Sequence, residues 1–365
     1  MTARSERRPR LLVARNLLHG HSVADALRRV IGKVTTTSRL VGADTSPDFL
    51  RFVAPRPIPA MESSTAGSSF AACCDARAEQ LLAAHERLHI MWSGGIDSTT
   101  ALVALLRALP VNERDRLVVY LSSHSIAENP TFYHRHVAGR LTMRRTVDTA
   151  SLYDEVVVTG ELGDQLFGSD LMLQCTRRLG FDSLALPHAD TLPRLFANLA
   201  GDLDLGRAVY GHFAPIADQA PFRLDTAAGF LWWWNFSQKW QHVKFRHMLY
   251  EYRGDYRPLF GRVAHFFEAD AFQRWSMAPQ NQALKLGSRI DTYKMPAKRY
   301  VVDYTRDDAY LAKLKVGSLC KVFRHAPIAA VTEDGLPVDQ AGLRAFLRDD
   351  QAGAGQGLTA ASTGR

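Results

Sequence analysis

Between residues 75 and 168, short apolar runs alternate with amphipathic stretches. Residues 75–88 (DARAEQLLAAHERL) place apolar side chains at helical spacing behind Asp75, a residue suited to an N-cap, and predict a helix. Residues 89–92 form an apolar run that ends in Ser93-Gly94-Gly95, and residues 98–109 follow with no Gly or Pro. That order reads as strand, tight glycine turn and helix N-terminus. Residues 116–122 (RLVVYLS) are rich in β-branched and aromatic side chains and predict a second strand. Residues 132–141 predict a helix, and residues 155–158 a third strand. The alternation predicts an α/β fold built on a doubly wound parallel sheet.

From Leu171 onward strand signals thin out, and residues 192–199, 226–250, 262–275 and 307–314 predict helices. The expected organisation is an N-terminal extension over residues 1–74, an α/β core over 75–180, a mainly helical lobe over 181–350 and a tail over 351–365. The extension carries a weak helical pattern at 23–31, a short strand at 50–53 and a connector marked by Pro55, Pro57 and Pro59, but no chemical motif. The tail (QAGAGQGLTAASTGR) has the composition of a disordered segment. In the lobe, Trp232, Trp233, Trp234, Phe236 and Trp240 are expected to pack in a core, the competing use being a stacking platform for a base or aromatic substrate. The basic run Lys239, His242, Lys244, Arg246 and His247 reads as a solvated helical face.

Composition narrows the class. With 365 residues, 46% of them hydrophobic, the chain can fill two compact units, and no apolar run approaches the length needed to cross a bilayer. The four cysteines (Cys73, Cys74, Cys175 and Cys320) lack metal-ligand spacing and suit a reduced cytoplasm. A net charge of +8 fits a protein that handles anionic nucleotide as well as one that binds nucleic acid. The basic start (Arg4, Arg7, Arg8, Arg10) reads as solvated, because Glu6 interrupts it and no signal-peptide apolar region follows.

The chemistry gathers at the expected strand ends. In doubly wound sheets ligands bind beyond the carboxyl ends of the strands. Here those ends carry Ser93-Gly94-Gly95, then Ser122 to Ser125, then Gly160 to Asp164. Paired glycines let a backbone close around an anion, and Ser98 and Thr99 bring hydroxyls to the positive end of a helix. This predicts a phosphate cradle. It is not a Walker A loop, which requires a lysine that this stretch lacks. Asp97 and Asp164 at two strand ends would need a cation beside such a cradle.

Ser93-Gly94-Gly95-Ile96-Asp97-Ser98 resembles the SGG-x-D-S signature of the PP-loop ATP pyrophosphatases. Thr159 to Gly168 (TGELGDQLFG) resembles the SGEGADELFGG stretch of the asparagine-synthetase branch, which includes β-lactam synthetases and lasso-peptide cyclases. Leu162 stands where that family has Gly, a mild change if the turn needs no positive φ, and Gln165 stands where it usually has Glu. A third match runs from Tyr293-Lys294-Met295-Pro296 to Lys313, Lys315 and Ser318.

The resemblance covers residues 75–318 and implies ATP and Mg²⁺, a carboxylate activated as an acyl-adenylate with release of pyrophosphate, and attack by ammonia or an amine. It implies that Ser93, Gly94, Gly95, Asp97, Ser98, Thr99, Leu121, Ser122 and Gly160 bind ATP and pyrophosphate, and that Asp97 and Asp164 hold the metal. Glu161 and Lys315 take catalytic roles, with Lys313 as the rival of Lys315; His124, Glu128 and Asn129 are candidates for substrate contact. The relatives' glutaminase domain has no counterpart in residues 1–74, so a separate ammonia source or partner protein is one expectation. Two other readings stand beside it. One is a PP-loop enzyme that modifies tRNA, which the absence of Cys-x-x-Cys and of an RNA-binding module disfavours. The other is a non-catalytic nucleotide-binding subunit.

Overall fold

The computed structural model describes residues 10–11, 39–40, 58–61, 68–145, 155–240, 243–244, 262–289, 292–313, 330–331 and 337–338. In chain order the strands are β1 (Arg10–Leu11), β2 (Leu88–Met91), β3 (Leu117–Leu121), β4 (Thr142–Arg145), β5 (Val157–Thr159), β6 (Val263–His265), β7 (Ala330–Val331) and β8 (Pro337–Val338). Five of them form one parallel sheet in the order β4-β3-β2-β5-β6. The remaining three pair antiparallel in the order β1-β7-β8.

The helices that matter here are α1 (Phe70–Ala84), α2 (Ile96–Ala108), α3 (Ser123–Glu128), α4 (Gly163–Phe167) and α5 (Ser169–Leu179). They are followed by α6 (His188–Ala200), α7 (Leu203–Phe213), α8 (Ala227–Gln238), α9 (Asp270–Met277), α10 (Gln282–Leu286) and α11 (Met295–Thr305). Helices flank the parallel sheet, so the fold is the expected doubly wound α/β arrangement with a helical lobe. Among the described residues no helix is long and apolar enough to cross a membrane.

The chain lays β3 and β4 on one side of β2, then returns to place β5 and β6 on the other. The order therefore reverses between β2 and β5, and the crevice beyond their carboxyl ends is where such sheets bind ligands. All of β3 and β5 and most of β2 are buried, as expected of parallel strands covered on both faces. Around the site, α11 packs on α2 and α1, while α8 packs on α4 and α5.

Several elements differ from the sequence pattern. The first helix of the core starts at Phe70, because Ser69 and not Asp75 caps it: Ser69 Oγ accepts from Ala72 N–H at 3.1 Å. Residues 132–141 give one turn (Pro130–Phe132) and a π-helical turn (Tyr133–Val137), then β4 begins. β4 is an exposed edge strand with two arginines, so it lacks the apolar alternation that marks a strand. Residues 262–275 divide into β6, a 3-10 turn (Phe266–Glu268) and α9 instead of one helix. The patterns at 23–31 and 50–53 and the tail lie outside the described residues. The α8 aromatics, in contrast, are all buried: Trp232, Trp233, Trp234, Phe236 and Trp240 belong to the common apolar core. They pack and present no exposed stacking face.

Candidate active site

The turn after β2 is a small hydrogen-bonded knot. Ser93 Oγ and Ser98 Oγ lie 3.0 Å apart; Ser98 Oγ accepts from Ser93 N–H at 3.1 Å, and Ser93 Oγ from Gly95 N–H at 3.4 Å. Both hydroxyls thus face one another across the mouth of α2, where the helix dipole favours an anion. Gly94 has φ +75, and a Cβ there would run into the Ser125 carbonyl oxygen and the Glu128 side chain. No other residue combines that conformation with so close an approach of α3. Thr99 is set apart from this group. Its hydroxyl accepts from the Trp92 indole N–H at 3.0 Å, and it is fully buried, so its side chain serves the core.

The turn after β5 presses against the first one. Gly160 lies against the backbone of Ser98, and a Cβ on Gly163 would fall within 2.5 Å of Asp97 Cγ and Oδ1. The glycines of TGELGDQ therefore let the two turns touch. Leu162 has φ 74, so this turn does require a positive φ where the Leu stands. A left-handed non-glycine residue costs about 1–2 kcal/mol, and here the Leu side chain is wholly buried, which offsets the strain.

Asp97 and Asp164 meet around one cation. Lys294 Nζ donates to Asp97 Oδ1 at 2.7 Å, Asp97 Oδ2 at 2.6 Å and Asp164 Oδ1 at 2.6 Å. Those bonds use all three ammonium protons, and the Lys294 side chain is only 1% exposed. Lys294 precedes α11 in a left-handed conformation (φ 54, ψ 30), which aims it back toward the strand ends. The two carboxylates are thus close enough to hold the Lys294 ammonium between them. Among the described residues no group of three or more His, Cys, Asp and Glu is assembled that could hold a metal by itself. A divalent ion here would rest on two carboxylates and complete its shell with phosphate oxygens and water.

Two polar networks fix these turns. Asn235, fully buried on α8, donates to the Asp164 carbonyl at 3.1 Å and accepts from Gln165 Nε2 at 3.1 Å. Gln165 thus lies in a buried amide pair, where a carboxylate would bring a charge next to the Asn235 carbonyl oxygen. On the other side, His265 Nε2 faces the Lys244 carbonyl at 2.9 Å, and Nδ1 faces Thr159 Oγ1 at 2.7 Å. A carbonyl only accepts, so Nε2 carries a proton, and in the neutral ring Nδ1 then accepts from Thr159. Thr159 Oγ1 then accepts from Glu161 N–H at 3.3 Å, which ties the Glu161 backbone to β6. Glu161 itself is 9% exposed.

The remaining expected residues fall as follows. Leu121 ends β3, and Ser122, the next residue, forms a reciprocal capping box with Ser125 at the start of α3. His124 lies on α3 and is exposed. Asn129 caps the next turn, its Oδ1 accepting from Phe132 N–H at 3.4 Å. Lys313 Nζ donates to the Glu128 carbonyl at 2.6 Å and lies 3.5 Å from Glu128 Oε1. Burial pushes the Lys313 amine below the usual lysine range, with Glu128 pulling it back up. Lys313 therefore braces α3, the helix that rests on Gly94. Lys315 and Cys320 lie outside the described residues.

The sequence pattern assigns no role to Lys294, Asn235 or His265. A polar residue inside the apolar stretch 227–236 was the available sign for Asn235. Compared with protein-family models and with curated proteins, the sequence matches none.

Proposed function

We propose that this chain is an ATP-dependent amide-forming ligase or cyclase of asparagine-synthetase type. The supporting observation is that the 93–98 and 160–164 turns converge at one switch point, with Asp97 and Asp164 around a single cation.

In the proposed reaction a substrate carboxylate oxygen bonds to the α-phosphorus of ATP while the bond to the pyrophosphate oxygen breaks. The backbone of Gly94 and Gly95, the Ser93 and Ser98 hydroxyls and the α2 N-terminus would stabilise the leaving pyrophosphate. Leu121, Ser122 and Gly160 would border the nucleotide. Mg²⁺, held by Asp97 and Asp164 with phosphate oxygens, would supply charge neutralisation on the triphosphate. Lys294, paired with both carboxylates, would face the same phosphates.

Ammonia or an amine then attacks the acyl carbon, AMP leaves, and Glu161 orients the amine or takes its proton. Lys315 is the proposed source of positive charge at the reacting centre. The substrate is a small-molecule or peptide carboxylate, and a separate partner protein can supply ammonia. Free, buried Cys73, Cys74 and Cys175 support a cytoplasmic setting.

The test is exchange of labelled pyrophosphate into ATP in the presence of Mg²⁺ and a panel of amino acids and peptides. Carboxylate-dependent labelling of ATP is expected. A carboxylate that instead drives formation of ADP and phosphate contradicts the reading.

A further inference from the structure

Lys294 is the one feature of the site whose geometry the reaction above does not fully use. A fully donating ammonium sits between the two carboxylates that a metal would need, at distances of 2.6–2.7 Å from three of their oxygens. An ammonium and a divalent cation cannot share that point. Two carboxylates and one ammonium leave the cluster at a formal charge of −1. Moving the buried ammonium off both carboxylates with no other anion to receive it would be strongly unfavourable.

Free Mg²⁺ brings only water and so provides nothing for the displaced amine. A metal–nucleotide complex brings phosphate oxygens into the cradle at Ser93 to Ser98, one turn from Asp97. Those oxygens are anionic acceptors suited to an ammonium. The left-handed backbone at Lys294 lies just before α11, and α11 is held on α2 and α1 through Tyr300, which donates to Asp75. Arg107 joins that anchor, 3.4 Å from Asp75 and with its guanidinium 4.8 Å from the Tyr300 ring centroid. Those contacts give the Lys294 side chain a fixed base.

We propose that Lys294 is a placeholder cation that sets the form in which the metal enters: it excludes a free divalent ion and yields its position to a metal–nucleotide complex, whose phosphates then hold the amine. This rests on reading Asp97 and Asp164 as cation ligands of a nucleotide site. It does not depend on the chemistry that follows.

The experiment is titration of Mn²⁺, followed by electron paramagnetic resonance, into the full-length wild-type chain, Lys294→Gln and Lys294→Arg, without nucleotide. Removing a unit charge a few ångströms from the ion should tighten Mn²⁺ binding to Lys294→Gln by about tenfold or more. Lys294→Arg should stay as weak as wild type, and adding Asp164→Asn to Lys294→Gln should abolish the gain. With a non-hydrolysable ATP analogue present, wild type should take up Mn²⁺ and analogue together.

Equal Mn²⁺ affinity in wild type and Lys294→Gln overturns the proposal. The wild-type titrations stand even if the variant fails to fold: tight Mn²⁺ uptake by wild type without nucleotide is equally fatal. Failure of pyrophosphate exchange alongside the predicted Mn²⁺ behaviour would overturn the ligase reading alone.

Discussion

Lys294 illustrates what a residue's neighbours decide and its sequence position does not. The run Tyr293-Lys294-Met295-Pro296 was visible in the chain, yet no periodicity says where a lysine amine points when its backbone is left-handed. The acids were legible, because Asp97 and Asp164 follow strand ends, but their shared counter-ion was not. One consequence is measurable. Asp97→Asn leaves the buried amine with only Asp164, and partial exposure of both carboxylates moderates the loss. A destabilisation of about 1–3 kcal/mol is expected in urea unfolding. Combining it with Lys294→Gln should recover part of that loss, which strict additivity of the two single variants would contradict.

Lys285 offers a separate test at the same scale. Burial pushes its amine well below the usual lysine range, against the pull of the Trp232 face 3.4 Å away, which favours the charged form. Where the folded amine has lost its proton and the unfolded one keeps it, the unfolded state binds more protons. Stability therefore rises with pH on the acid side of the ordinary lysine range, and levels off once the unfolded amine has also lost its proton. Lys285→Met should be more stable than wild type at neutral pH and remove this ionisation's share of the rise. Parallel slopes for the two proteins in pH-dependent urea melts would contradict that account.

Among the elements, β2, β3, β5 and α2 were legible because each is an uninterrupted apolar or amphipathic run bounded by Gly, Ser or Pro. The misses have physical causes. β4 is an exposed edge strand, β6 runs directly into a 3-10 turn and α9, and α1 begins five residues before Asp75 because a serine caps it. Close approach of two turns also hides in sequence: Gly163 reads as a turn residue, yet its lack of a side chain makes room for Asp97. Gly163→Ala should push the Asp97 carboxylate off its position. ATP-dependent turnover should fall by about 100-fold or more, the cost of roughly an ångström of misplacement, with the circular-dichroism spectrum unchanged. Wild-type turnover in that variant would mean that the Asp97 position is not critical.

At the scale of the molecule, the strand order β4-β3-β2-β5-β6 carries the functional argument. It places the reversal between the two strands whose following turns hold Asp97 and Asp164. The sequence predicted strand ends that converge, but three short strands could not by themselves specify which pair is adjacent. The helical lobe completes the crevice from outside the sheet: α8 supplies Asn235, and the segment before α11 supplies Lys294. Even Arg39, far upstream, inserts into this lobe, its guanidinium 4.4 Å from the Trp240 ring centroid and bonded to Gln273 at 2.6 Å. Residues assigned to an extension thus belong partly to the lobe's packing.

The most direct measurement follows the α-phosphorus. ATP labelled there, incubated with the protein, Mg²⁺, ammonia or an amine and the carboxylate panel, should give labelled AMP together with pyrophosphate, and Asp97→Asn should give neither. Labelled ADP with inorganic phosphate, formed by wild type and lost in Asp97→Asn, would contradict cleavage at the α-phosphorus and with it the proposed activity.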